Sequence, residues 1–314
     1  MQSPREYEYT VVDVFTTTPM EGNPLAVFPV AAGISDAQMQ KIAGELNLSE
    51  TVFLFESGNP EAAATARIFT PRREMDFAGH PTIGSAFVLA QRKELGQRFV
   101  IEENVGPVPI DVDRDGAGNP VFWLTTPPIT FFETLSPSLC ARLLGIPEDD
   151  ILPSAPPQFV SAGSPFLFVA LNSPQAVERV EFQQAHLNEA LGSVNSVGTF
   201  VFSRMSPQST SNFNVSSRMF APHNGIPEDP ATGSATGPLA AYMMKYGLLP
   251  TPHDVEFVSE QGAKMGRRSV LNVRVTAGSD PVIKIGGSAV TIASGRFLLS
   301  SAPTNANADT RDMV

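Results

Sequence analysis

Two stretches of this chain spell nearly the same strand, loop and helix start. The first runs Arg67-Ile68-Phe69-Thr70-Pro71, a variable loop, then His80-Pro81-Thr82-Ile83-Gly84-Ser85-Ala86. The second runs Arg218-Met219-Phe220-Ala221-Pro222, a shorter loop, then Asp229-Pro230-Ala231-Thr232-Gly233-Ser234-Ala235. Upstream, Thr51-Val52-Phe53-Leu54-Phe55 is echoed by Thr199-Phe200-Val201-Phe202. A period of about half the chain is too long for a solenoid or propeller repeat, and it points to two related domains facing each other. Proline suits the first helical position, where its missing N–H would be unpaired anyway. That places Asp229 at the N-cap of the second helix and His80 at the same position of the first. Such a terminus, with free N–H groups and a positive dipole end, is an anion site. Two of them across one cleft would hold a small carboxylate between His80 and Asp229. The plainer reading, two ordinary capped helices, does not explain why each copy carries a different titratable group.

Composition removes several classes of function. The 314 residues suffice for two domains, and 42% hydrophobic with 17% charged content is globular. A formal charge of −11 without a basic run speaks against nucleic acid. No apolar run is long enough to span a bilayer, and the N-terminus lacks a signal-peptide core, so the chain reads as cytoplasmic. A single cysteine, Cys140 in a helical pattern, excludes paired-thiol chemistry and reads as core. The four histidines show no ligand spacing, so no metal site is expected.

In order, strands are expected at Tyr7–Phe15 and Leu25–Phe28, a helix over Ser35–Leu46, and a strand at Val52–Phe55 with Glu50 at its loop junction. A strand at Ala64–Thr70 leads through the 71–79 loop to an apolar, buried helix over Pro81–Lys93. Strands follow at Phe99–Glu102, Val108–Val112 and Val121–Leu124. The second half repeats the plan: helices over Ser136–Leu144 and Ala176–Leu191, strands at Phe159–Val160, Phe166–Leu171, Thr199–Ser203 and Phe213–Phe220, then a helix over Pro230–Tyr246 stopped by Gly247. Strands at Asp254–Glu260, Val270–Val275, Val282–Ile285 and Val290–Leu299 complete it. The fold class is therefore α+β: two pseudo-symmetric domains, 1–128 and 129–300, each a mostly antiparallel, barrel-like sheet around a central helix. Residues 301–314 read as a flexible tail.

The segments Gly22-Asn23-Pro24-Leu25-Ala26-Val27, Asn47-Leu48-Ser49-Glu50-Thr51, Gly79-His80-Pro81-Thr82-Ile83-Gly84 and Asp229-Pro230-Ala231-Thr232-Gly233-Ser234-Ala235 occur in the order of the PhzF, or phenazine-biosynthesis-like, family. The chain resembles that family from Tyr7 to about Leu299. The resemblance implies the diaminopimelate epimerase fold, a homodimer, and cofactor-independent isomerisation of trans-2,3-dihydro-3-hydroxyanthranilate. It implies Glu50 as the acid/base, with His80 and Asp229 orienting the substrate's polar groups. It also implies Ser49, Gly79, Gly233 and Ser234 as a cradle for the carboxylate. Moving a proton along a conjugated acid needs one group that both accepts and donates, and burial disfavours the charged form of a carboxyl. In the repeat, Gly198 stands where Glu50 would fall, so Glu50 breaks the pattern; pairing with Arg67 is the alternative role for it. Two other functions stay open: an epimerase using Glu50 and Asp229, and a small-molecule binding protein without turnover.

Overall fold

The computed structural model describes residues 4–191, 198–205, 212–249 and 253–299; the tail expected at 301–314 lies outside them. Helices are α1 (Asp36–Leu46), α2 (Gly79–Arg92), α3 (Pro137–Leu144), α4 (Pro174–Arg179), α5 (Leu187–Leu191) and α6 (Gly233–Lys245). Strands of the first half are β1 (Arg5–Val14), β2 (Asn23–Phe28), β3 (Glu50–Phe55), β4 (Ala62–Phe69), β5 (Glu74–Met75), β6 (Arg98–Glu103), β7 (Gly106–Arg114) and β8 (Pro120–Thr125). Then come β9 (Thr130–Thr134), β10 (Gln158–Ser161), β11 (Pro165–Ala170), β12 (Gly198–Arg204), β13 (Asn212–Ala221) and β14 (Ile226–Asp229). The last are β15 (Val255–Gln261), β16 (Ser269–Thr276), β17 (Val282–Gly287) and β18 (Ala289–Leu299). The result is a mixed α/β fold with one large, mostly antiparallel sheet and few helices.

Hydrogen bonding connects the strands in two runs. One is β18-β1-β2-β3-β4-β6-β7-β8 and the other β9-β10-β11-β12-β13-β15-β16-β17, joined by antiparallel β8 and β17. Pairing is parallel at β2–β3 and β4–β6 in the first run, and at β11–β12 and β13–β15 in the second. Short β5 and β14 hang from β4 and β13. β3 is buried on both faces, as its near-continuous apolar run requires beside a parallel neighbour and under a helix. α2 is buried from Gly79 to Leu89 and α6 from Ala235 to Met243. Their side chains share one apolar core with the surrounding strands, Phe87 edge-on to Phe122 and Tyr242 stacked on Phe168.

Local signals explain several helix ends. Ser35 N–H donates to Gln38 Oε1 at 3.0 Å, closing one side of a capping box on α1. Ser136 Oγ accepts from Leu139 N–H ahead of Pro137 in α3, and Cys140 is buried there. Gly247 takes a left-handed φ of 66° just beyond α6. The long helix expected over 176–191 is instead broken into α4, a 3-10 turn and α5. Two of the N–H groups in the gap go elsewhere: Glu181 and Gln183 donate to Leu144 O and Leu143 O of α3. Arg218 caps the carbonyls of Val177 and Val180, and Phe182 stacks on Phe220. Tertiary partners thus outbid helix continuation at Val180.

The expected caps are also corrected. α2 starts at Gly79 after Ala78, so His80 lies inside the first turn. α6 starts at Gly233 after Thr232, which leaves Asp229 on β14. Neither proline opens its helix. Ile68 pairs with Met75 and Met219 with Asp229, each partner four residues before its helix start. The structural repeat therefore sets Gly79 against Gly233 and His80 against Ser234, with Met75 opposite Asp229.

Candidate active site

Three titratable side chains meet in one buried cluster. Glu50 opens β3, His80 lies in the first turn of α2, and Asp229 ends β14; they are 9%, 6% and 6% exposed. His80 Nε2 stands 3.0 Å from Glu50 Oε2, within ion-pair distance. Among the described residues neither atom has another hydrogen-bond partner. Asn23, fully buried at the start of β2, bridges the ring to the second carboxylate. Its Nδ2 donates to Asp229 Oδ1 at 3.1 Å and to Ala231 O at 3.0 Å, and lies 3.4 Å from His80 Nδ1.

Asp229 is fixed from the other side as well. Thr232 Oγ1 donates to its Oδ2 at 2.6 Å. Gln261 Nε2 donates to Asp229 O and to Thr232 Oγ1, while Gln261 Oε1 accepts from Thr232 N–H. Burial pushes the Asp229 carboxyl up to about 6, and Glu50 adds to the rise; His80, Thr232 and Asn23 oppose it. An imidazole set between two carboxylates, one of them poised near neutrality, can store and redirect a proton.

The two helix starts touch. A Cβ on Gly79 would lie 3.2 Å from Gly233 C and Ser234 N, tighter than an ordinary contact, so glycine favours this approach. Beside them lies a small, largely apolar hollow lined by Phe15, Phe77, Ile83, Leu124 and Ser234, among others. Phe15 is buried with φ 65°, an uncommon conformation for a bulky residue, and its ring packs toward Gly233 and Gly287. Ser49 is half-buried directly before Glu50. Arg72, in the loop before α2, lies against Gly225, in the loop before β14. Arg67, the alternative partner for Glu50, is engaged elsewhere, bonded through two nitrogens to Glu74 and to Asp36. Among the described residues no group of His, Cys, Asp and Glu is placed to hold a metal ion.

Sequence reading placed Glu50, His80 and Asp229 together, and they are together. It gave no role to Asn23, Thr232 or Gln261. Asn23 did carry a signal, in Gly22-Asn23-Pro24: Gly22 has φ 67° with no room for a side chain beside Val14 O. Arg267 then ties that loop to the second half through Gly22 O, Glu21 O and buried Asp13.

Comparison with known proteins identifies the family. The phenazine biosynthesis-like protein family (PhzC-PhzF) matches residues 12–295. An uncharacterized isomerase of Mesorhizobium japonicum is 37% identical, the match covering 93% of this chain and 98% of the relative. The trans-2,3-dihydro-3-hydroxyanthranilate isomerase of Pseudomonas chlororaphis is 32% identical over 93% of this chain and 100% of its own. The crystal structure of a PhzF-family phenazine biosynthesis protein from Bacillus anthracis superposes with a TM-score of 0.86 at 26% identity, covering 94% of this chain and 100% of that one. The chain accordingly belongs to the phenazine biosynthesis-like protein family, as an isomerase.

Proposed function

We propose that this isomerase acts, without a cofactor, on a small carboxylated and conjugated metabolite resembling trans-2,3-dihydro-3-hydroxyanthranilate. The observation that carries the reading is the buried convergence of Glu50, His80 and Asp229 around Asn23. Glu50 takes a proton from a ring carbon and returns it at another carbon of the conjugated system, so the reaction is redox-neutral. His80 and Asp229 orient the substrate's amino and hydroxyl groups. Ser49, Gly79, Gly233 and Ser234 receive the carboxylate, for which two abutting helix N-termini are suited. The repeated order of parallel and antiparallel pairing supports two pseudo-symmetric domains, 1–128 and 129–300, with the site between them. In that division β18 packs with the first half, on β1. The family resemblance implies a homodimer, and the composition read from the sequence points to the cytoplasm.

The test is incubation with trans-2,3-dihydro-3-hydroxyanthranilate in D2O, followed by NMR, beside Glu50→Gln. The wild type converts the substrate, and the variant loses about 10²–10⁴ in kcat while keeping its fold and affinity. A Glu50→Gln enzyme of unchanged rate would remove Glu50 as the base. Deuterium at a single stereocentre, without relocation of a hydrogen, would make the protein an epimerase with Glu50 and Asp229 as two bases. Binding without conversion would move the chemistry to another substrate or leave a binding protein.

A further inference from the structure

Glu103 ends β6 and is only 6% exposed, yet it takes no part in the cluster of Glu50, His80 and Asp229. Its Oε1 lies 2.6 Å from Thr82 Oγ1 in α2, and its Oε2 has no hydrogen-bond partner among the described residues. The same hydroxyl lies 2.7 Å from Ala78 O, the carbonyl of the residue that precedes α2. A threonine hydroxyl has one hydrogen, and a carbonyl oxygen can only accept. In the second half Thr236, equally placed in α6, donates to Thr232 O in the same way. With the Thr82 hydrogen directed to Ala78 O, the short contact between two oxygens requires a hydrogen from Glu103.

Strand register supports the same conclusion. Thr65 pairs with Glu102 and Ser216 with Glu260, so Glu103 stands where the second half has Gln261. Gln261 both donates and accepts behind the start of α6. Among acidic side chains, only a protonated carboxyl offers the same pair of functions. We propose that Glu103 is a positioning residue of the active site, a carboxyl that keeps its proton and, through Thr82, pins the first turn of α2 so that His80 meets Glu50.

Burial raises this carboxyl to about 8; only a Thr82 hydroxyl turned away from Ala78 O to donate to the carboxylate would oppose the rise. The titratable groups on the elements around it are His80 and Arg92 on α2, Arg67 on β4 and Glu74 on β5. On its own strand are Arg98 and Glu102, and on β7 Asp111, Asp113 and Arg114. Of these, Glu102 points to the opposite face and bonds Ser57, Asn59 and Thr65, and Arg67 is spent on Glu74 and Asp36. Above about pH 8 no cation among the described residues pairs with the buried carboxylate, and the first turn of α2 is loosened.

The role in turnover rests on the isomerase reading above; the first two measurements do not. The folded protein holds a proton on Glu103 that the unfolded chain releases above its ordinary value of 4.5, so wild-type stability falls as pH rises from there to about 8. Melting temperature is measured for wild type and Glu103→Gln between about pH 6 and 9. The wild type is expected to lose stability relative to the variant across that interval; parallel profiles would overturn the proposal. Infrared difference spectra of the two proteins should show a protonated-carboxyl stretch in the wild type that fades through about pH 8. Its absence at neutral pH would overturn the proposal even where a variant folds poorly. In turnover, Glu103→Ala should lose roughly ten- to a hundredfold in kcat with little change in KM, and Glu103→Gln should retain it. Equal damage in both variants would reduce Glu103 to a packing residue. A wild type inactive on that substrate would count against the isomerase reading alone, with stability and spectra still deciding the protonation.

Discussion

At the scale of single residues, Asp229 is where environment most alters chemistry. Its carboxyl is lifted from 3.8 to about 6, chiefly by burial. The folded protein thus keeps a proton there that the unfolded chain has released. The contribution to stability is largest at low pH and is lost as pH rises from about 4 to about 6. A shift of this size is on the order of 3 kcal/mol. Asp229→Asn should flatten the dependence of unfolding free energy on pH in that window and slow turnover; urea titrations from pH 4 to about 7 measure the first. A variant profile with the wild-type slope would move the proton to another member of the cluster. The identity of these residues was legible in the sequence because each sits in a conspicuous setting: Glu50 at the head of an apolar strand, His80 and Asp229 each directly before a proline close to a helix start. Their supports were not legible. Gln261 and Glu103 end ordinary alternating strands, and only strand register brings them behind the helices.

At the scale of elements, the repeat was readable and its alignment was not. Matching His80-Pro81 to Asp229-Pro230 follows the letters, but the first helical residues are Gly79 and Gly233. The letters mislead because the two loops differ: Asp229 belongs to a strand, β14, while the corresponding Met75 ends the shorter β5. Pairs outside the motif show the true correspondence. Arg67 grips Glu74 as Arg218 grips Glu228, and Thr82 bonds Ala78 O as Thr236 bonds Thr232 O. Where the two helix starts abut, Gly79→Ala inserts a methyl 3.2 Å from Gly233 C and Ser234 N. The backbone on that side cannot swing away as a side chain could. The expected cost is about 1–3 kcal/mol of stability, with weaker binding of a carboxylate ligand as the N–H groups separate. Thermal unfolding and ligand titration of Gly79→Ala check this; unchanged values in both would mean that the two starts do not form one site.

At the scale of the molecule, the two strand runs share a ladder and a core. β8 and β17 pair from Phe122 to Thr125, and residues of both helices α2 and α6 lie in the same apolar cluster. Lys284 reaches Asp111 across the seam, and Arg274 lies over Trp123 while binding Asp113 and Glu256. The first half is nevertheless not contiguous in sequence, because its outer strand β18 is the last described stretch of the chain. β18 lies antiparallel to β1 with Arg5 opposite Leu299, and Phe297 packs edge-on to Tyr9 and Phe28. This register is that of a hairpin whose turn is missing. A circular permutant that begins at Ala289, joins Leu299 to Arg5 through a two-residue Asn-Gly turn and ends at Ser288 should therefore fold. Its first half would then run as one continuous segment through β18, β1 and onward to β8. The opened connection is short, and Phe15 N–H still has Ser288 O to bond. Melting temperature within a few degrees of wild type and retained turnover are expected. Removal of β18 without permutation should instead unfold the first half, since β1 would lose its ladder and Tyr9 and Phe28 their cover. If the permutant fails to fold while the truncated chain survives, β18 is an accessory to the first half and not one of its strands.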